Sequence, residues 1–162
     1  MTPVDTKLEV PMTPAVVRYS ALVYGIAFLG VGILGFVPGV TQSHAAPELT
    51  VHGPGHGYLL GLFHVNLLHN LVHLLFGIWG LIAFRTFDAS RLYARGVAVI
   101  YAVLGVFGLI PGLDTLFGLV PLHGHDVWLH FLLAVVAAIF GFAPIGADAA
   151  GVATGRTDHT GA

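Results

Sequence analysis

The sequence predicts an all-α fold, a four-helix bundle integral to a membrane, and three observations carry that prediction. Hydrophobic residues make up 56% of the 162 and charged residues only 9%, against about a quarter charged in soluble domains. The apolar residues fall into four long runs, and about 20 residues suffice to cross roughly 30 Å of hydrocarbon as a helix. Between the runs lie stretches holding Pro, Gly and most of the few charges, the usual punctuation of loops.

Residues 1–14 contain three prolines and scattered charges, and read as a flexible N-terminal lead. The four-span transmembrane domain then occupies residues 15–145. Its first span, Ala15 to Val37, is uncharged after Arg18, and Gly25, Gly30, Gly32 and Gly35 allow a neighbouring helix to approach closely. Pro38-Gly39 ends it. A cleaved signal peptide is the rival reading, with small residues at Ser43-His44-Ala45-Ala46, but the apolar run exceeds the roughly 7–15 residues such segments use. Val40 to Gly57, with His44, His52 and His56, is too polar and too irregular for a span and reads as an external loop.

The second span, residues 59–84, is where the chemistry concentrates. It carries His64, Asn66, His69, Asn70 and His73 inside an otherwise apolar run. At about 100° per residue Asn66, His69, Asn70 and His73 share one face of a helix while His64 points away from it. Polar and ionisable groups at membrane depth are costly and face a protein interior, which makes the stripe a candidate functional site. Arg85 to Arg91 is a short turn. The third span, residues 92–110, has Arg95 near enough to its start to snorkel, and Pro111-Gly112 closes it. The loop from Leu113 to Asp126 is unusually apolar and suggests a lid or re-entrant segment. The fourth span, residues 127–145, starts beside Trp128, an interfacial anchor, and residues 146–162 read as a disordered tail.

All six basic residues, Lys7, Arg18, Arg85, Arg91, Arg95 and Arg156, fall on one side of this arrangement. The positive-inside rule then places both termini in the cytoplasm and both histidine-bearing loops outside. The chain also resembles itself. A shift of 73 positions sets Arg18 on Arg91, Gly32 on Gly105, Gly35 on Gly108 and Pro38-Gly39 on Pro111-Gly112, and a shift of 61 sets His64 and His69 on His125 and His130. Two parallel two-helix repeats about an axis along the membrane normal follow from that pattern.

Several function classes drop out. Six basic residues cannot form the footprint of a nucleic-acid binder. With no cysteine there is no disulfide, thiolate ligand or cysteine nucleophile. There is no nucleophile elbow, phosphate loop, His-Glu-x-x-His or pair of carboxylates within a span. Ten histidines remain, nine of them between His44 and His130.

His69 and His73, one turn apart, offer two imidazoles to one ion, and His130 from a neighbouring helix supplies a third. His64, His125 or Asp126 are candidates to complete the shell, and Asn66 and Asn70 to hydrogen-bond the ligand rings. A nitrogen-rich set of this kind suits Zn, Cu, Fe or Ni. A b-type haem held between His69 and His130 is an equal use of these residues, with Gly61 and Gly77 making room. The alternative is a structural or partner-binding membrane subunit, in a homo-oligomer or with another membrane protein, whose histidines only hydrogen-bond between helices; a proton or ion path along the stripe is a third reading. The outer His44, His52, His56 and His123 read as solvated loop residues, with metal capture second. Asp114 reads as a turn residue.

The segments His69-Asn70-Leu71-Val72-His73-Leu74 and Gly112 to His130 closely resemble a bacterial family of small four-span membrane proteins, domain of unknown function 4383. The resemblance covers about Arg18 to Phe142. It implies a four-helix membrane protein and no established activity; with the positive-inside reading, the expected location is the bacterial inner membrane.

Overall fold

The computed structural model describes residues 12–44, 47 and 49–145; residues 1–11 of the N-terminal lead, with Lys7, the tail, with Arg156 and His159, and Ala45 and Ala46 of the signal-peptide reading lie outside them. Four helices run in order: α1 (Pro14–Leu34), α2 (Leu67–Ala83), α3 (Phe87–Phe107) and α4 (His125–Phe142). Between α1 and α2 lie three short strands, β1 (Thr41–Gln42), β2 (Gly57–Leu59) and β3 (Phe63–Val65), which form an antiparallel meander in the order β1-β2-β3. Helices α1, α3 and α4 are long and apolar enough to cross a membrane; α2, at 17 residues, is a shorter apolar helix.

Each helix starts where local chemistry allows. The Thr13 hydroxyl accepts from the Val16 amide, with Pro14 filling the first helical position, where its missing N–H costs nothing. Thr86 caps α3 in the same way through the Ala89 amide. The Asn66 side chain caps α2 by accepting from the His69 amide at 2.9 Å. Gly124, at a φ of 72°, turns the chain into α4 without a side-chain cap, and Asp126 lies in its first turn, where the helix dipole favours negative charge.

The second span therefore differs from its sequence reading. It does not run as a helix from Leu59, because Leu60 and Gly61 have φ of 54° and 71° and fold Leu59–Phe63 into a tight hairpin. Left-handed backbone at consecutive residues is the geometry of a hairpin turn and is incompatible with a helix. His64 consequently lies on β3, opposite Tyr58, and Asn66 becomes a cap instead of a member of the helical stripe. The other helices begin and end a few residues earlier than the apolar runs suggest.

Helix α1 packs chiefly on α2, and α3 on α4, and the two pairs meet mainly through α1 and α3. Small residues set the first contact: a Cβ on Gly80 would lie 2.8 Å from the Gly25 Cα, so the two backbones touch there. The core at the junction is aromatic, built from Tyr24, Phe28, Tyr93 and Tyr101 around Val97, Ala98, Ala134 and Ala137. Val23, Ile26, Leu75, Val99, Leu132 and Val135 point outward and are exposed, the apolar surface of a protein surrounded by lipid.

At the end opposite the sheet, arginines take up helix-terminal carbonyls. Arg18 Nε donates to Phe84 O at 3.0 Å, closing α2, and Arg91 Nε and Arg95 Nε donate to Gly141 O at 3.1 and 2.8 Å, closing α4. At the sheet end the segment Leu113–Gly124 folds over the helices through turns. Leu122 N donates to Asp114 O and Val120 N to Thr115 O, and Val120, Pro121 and Leu122 are buried. Thr50 N and Oγ1 both reach Gly118 O, at 2.8 and 2.9 Å, and join this segment to the one before β2.

Candidate functional site

The buried face of α2 carries His69, Asn70, His73, Gly77, Gly80 and Ala83. Towards the arginine end these residues are small because α1 lies against them. Towards the sheet they are polar, and there the helices part enough to admit side chains from three other elements. His69 and His73 stack with ring centroids 4.6 Å apart. Tyr101 of α3 lies edge-on to His130 of α4 at 5.1 Å, and Phe28 of α1 is edge-on to His73 at 5.3 Å. Asp126, one turn before His130, is buried with a relative exposure of 3%. The His64 main chain is in polar contact with both Asp126 and His69, so the edge of β3 closes the top of the group.

Two cavities flank it. One of about 240 Å³ lies between α1, α2, α4 and the sheet, lined by Phe28, Val31, Phe63 and Asp126 among others. A second of about 180 Å³ lies against α3 and the Leu116–Leu122 turns. His69, His73, Tyr101 and His130 line both, and so form the partition between them. Nδ1 of His69, His73 and His130 and Oδ2 of Asp126 are buried without a hydrogen-bond partner in the protein. A buried polar atom left unpaired costs about 1–3 kcal/mol, and four such atoms around one space form a set that a polar guest would satisfy.

Of the residues singled out from the sequence, the structure brings His69, His73, His130 and Asp126 together. His125 is at the exposed start of α4, away from the group. His64 contributes its main chain there, while its ring turns to the outer loops, within 5.5 Å of His56 and 5.4 Å of His123. Asn66 and Asn70 hold loops instead of orienting imidazoles. Asn66 Nδ2 donates to Val51 O and Leu119 O, and Asn70 Nδ2 to Gly55 O. Asp114 is a turn residue, its carboxylate accepting from Gly112 N at 3.0 Å. Trp128 is 70% exposed on the outer face of α4. Sequence reasoning missed Phe28 and Tyr101; the signal for them was the 73-residue shift, which places one on the other.

Three imidazoles and a carboxylate are a donor set for Zn, Cu, Fe or Ni. Among the described residues, no three His, Asp or Glu side chains are already arranged to hold an ion. The stacked His69 and His73 rings lie side by side, so sharing an ion requires one of them to turn.

A family model described as Domain of unknown function (DUF4383) matches residues 18–143, a stretch holding α2, α3, α4, all but the first turn of α1, both cavities and the buried polar group. The chain has no match among the curated proteins or the solved structures compared with it.

Proposed function

We propose, for a chain that belongs to the DUF4383 family, that the protein is a four-span membrane protein whose buried His69, His73, Asp126 and His130 bind a transition-metal ion. The observation that supports this reading is the set of four buried, unpartnered ligand atoms beside one cavity. A purely structural role for the histidines would pair those nitrogens across helices, yet Nδ1 of His69, of His73 and of His130 has no hydrogen-bond partner in the protein. The ion would supply positive charge and a Lewis-acid centre between apolar walls. A b-type haem is less favoured. Neither cavity reaches the roughly 300–1,000 Å³ of pockets for drug-sized ligands, and the Phe28–Tyr101 stack occupies the middle.

Two further parts of the reading go with it. The basic residues support a bacterial inner-membrane location with the arginine end in the cytoplasm and the sheet outside. The cavities support the internal repeat. Ala27, Phe28 and Val31 line the larger cavity, and Ile100, Tyr101 and Leu104, each 73 residues on, line the smaller. Leu133 and Val72, 61 residues apart, do the same on α4 and α2. The two cavities would then be related by a pseudo-two-fold axis that passes through the histidine partition, with His69 and His130 as mates.

The test is elemental analysis and Zn²⁺ or Ni²⁺ titration of the untagged full chain in detergent, with His130→Ala and Asp126→Asn beside it. The expected result is that each variant holds or takes up one equivalent of metal less than the parent, with no Soret absorption in any of them. Folded protein whose metal content is indifferent to both substitutions would leave the buried group without this role.

A further inference from the structure

Four separate stretches of chain deliver histidines to one place in the outer loops. His44 follows β1, His56 precedes β2, His64 is on β3 and His123 ends the turns before α4. The His64 ring is the hub: His56, His123 and His44 lie 5.5, 5.4 and 6.4 Å from it, centroid to centroid, and His52 lies 5.2 Å from His56. Tyr58, paired with His64 across β2 and β3, stacks on it at 4.8 Å and sets the plane of the hub.

We propose that His56, His64 and His123, with His44 at the rim, form a second metal site that captures a divalent transition-metal ion at the sheet end of the molecule. This site shares no side chain with the buried group and stands without it. Its dimensions carry the argument. With metal–nitrogen bonds of about 2.0–2.1 Å, two imidazoles on a tetrahedral ion have ring centres about 5 Å apart. The separations of His56 and His123 from His64 are close to that value. The nitrogens do not yet converge. Convergence takes rotation of the rings about χ2, a torsion with broad minima, on an unchanged main chain. Where the rim residues His44 and His52 are exposed, an ion can arrive from solvent.

The experiment uses the untagged full chain in detergent and Zn²⁺ alone. Calorimetric titration should show a binding event that His130→Ala leaves in place and that the double variant His56→Gln/His123→Gln weakens at least tenfold. A double variant that binds Zn²⁺ as the parent does would overturn the proposal. A second measurement needs no substitution: carbethoxylation of histidines followed by mass spectrometry, with and without Zn²⁺. Protection of His56 and His123 but not of His159 supports the site, and unchanged modification of both His56 and His123 refutes it even if the double variant fails to fold. Loss of the event in His130→Ala alone would assign the ion to the buried group and sink the outer site.

Discussion

Phe28 of α1 and Tyr101 of α3 lie face to face, ring centroids 5.2 Å apart and planes 21° from parallel, and they occupy the same place on their helices under the 73-residue shift. The stack joins the two helix pairs directly beneath the partition. Aromatic pairs of this kind add about 0.5–1.5 kcal/mol beyond the area they bury, so the contact does much to fix how α1 crosses α3.

The first prediction concerns that stack. Phe28→Ala should cost about 3–5 kcal/mol, as buried aromatic truncations do, and open the larger cavity towards Tyr101. Tyr101→Phe retains the ring and should cost under about 1.5 kcal/mol. Denaturant unfolding in detergent, followed by tryptophan fluorescence, compares them. Equal costs would mean that the rings do not act as a unit.

Close approach of α1 and α2 gives the second. Gly80→Val would put side-chain atoms into the Gly25 Cα and the Ala21 carbonyl, both within 3 Å of where a Cβ at that position would stand, and should lower the unfolding temperature sharply or abolish folded yield. Gly30 is a helical glycine with nothing within 4 Å of such a Cβ. There Gly30→Ala should raise stability by about 0.5–1 kcal/mol, since alanine is the better helix former. The same melting curves read both; a neutral Gly80→Val would show that the helices are not held at backbone contact.

The helices were legible in the sequence because apolar runs and their Pro-Gly stops follow from the chain's local chemistry. The sheet was not. Gly57-Tyr58-Leu59-Leu60-Gly61-Leu62-Phe63 is as apolar as a span, and hydropathy does not register two residues of left-handed backbone; Gly61 was the one sign of a turn. His69, His73 and His130 were legible from spacing and from the repeat. Tyr101 and Phe28 were hidden as ordinary aromatics of apolar helices, and the assembly of His44, His56, His64 and His123 depends on loop tertiary structure that no periodicity encodes.

Asn66 supplies the third prediction, because one side chain caps α2 and ties down two loops. Its Oδ1 accepts from His69 N, and its Nδ2 donates to Val51 O at 3.1 Å and Leu119 O at 2.8 Å. Asn66→Ala removes the cap, worth about 0.5–2 kcal/mol, and strands buried carbonyls at further cost. Asn66→Asp keeps the cap but turns a carboxylate towards those carbonyls. Both should be destabilised, with Asn66→Asp recovering part of its loss at acid pH where the carboxyl becomes a donor, and Asn66→Ala not. Parallel pH behaviour of the two in thermal melts would show that the loop contacts contribute nothing.

The last prediction tests which end faces out. Arg18, Arg91 and Arg95 gather at the end where α2 and α4 finish, and Ser43 lies at the other end, beside the sheet. If the positive-inside rule holds, the sheet end is outside the cell. With no native cysteine, single cysteines report cleanly, and the structure dictates where to put them. Ser43 is exposed. Near the start of α3, Ser90 is a poor probe, being fully buried with its hydroxyl near Ala83 O and Thr86 O at 2.9 and 2.8 Å. Its neighbour Asp88 is exposed and belongs to the first turn of α3. An impermeant maleimide added to intact cells should therefore label Ser43→Cys and spare Asp88→Cys, and both should react once the membrane is opened with detergent. The reverse pattern would put the outer histidine loops in the cytoplasm, where an ion arriving from outside would not meet them.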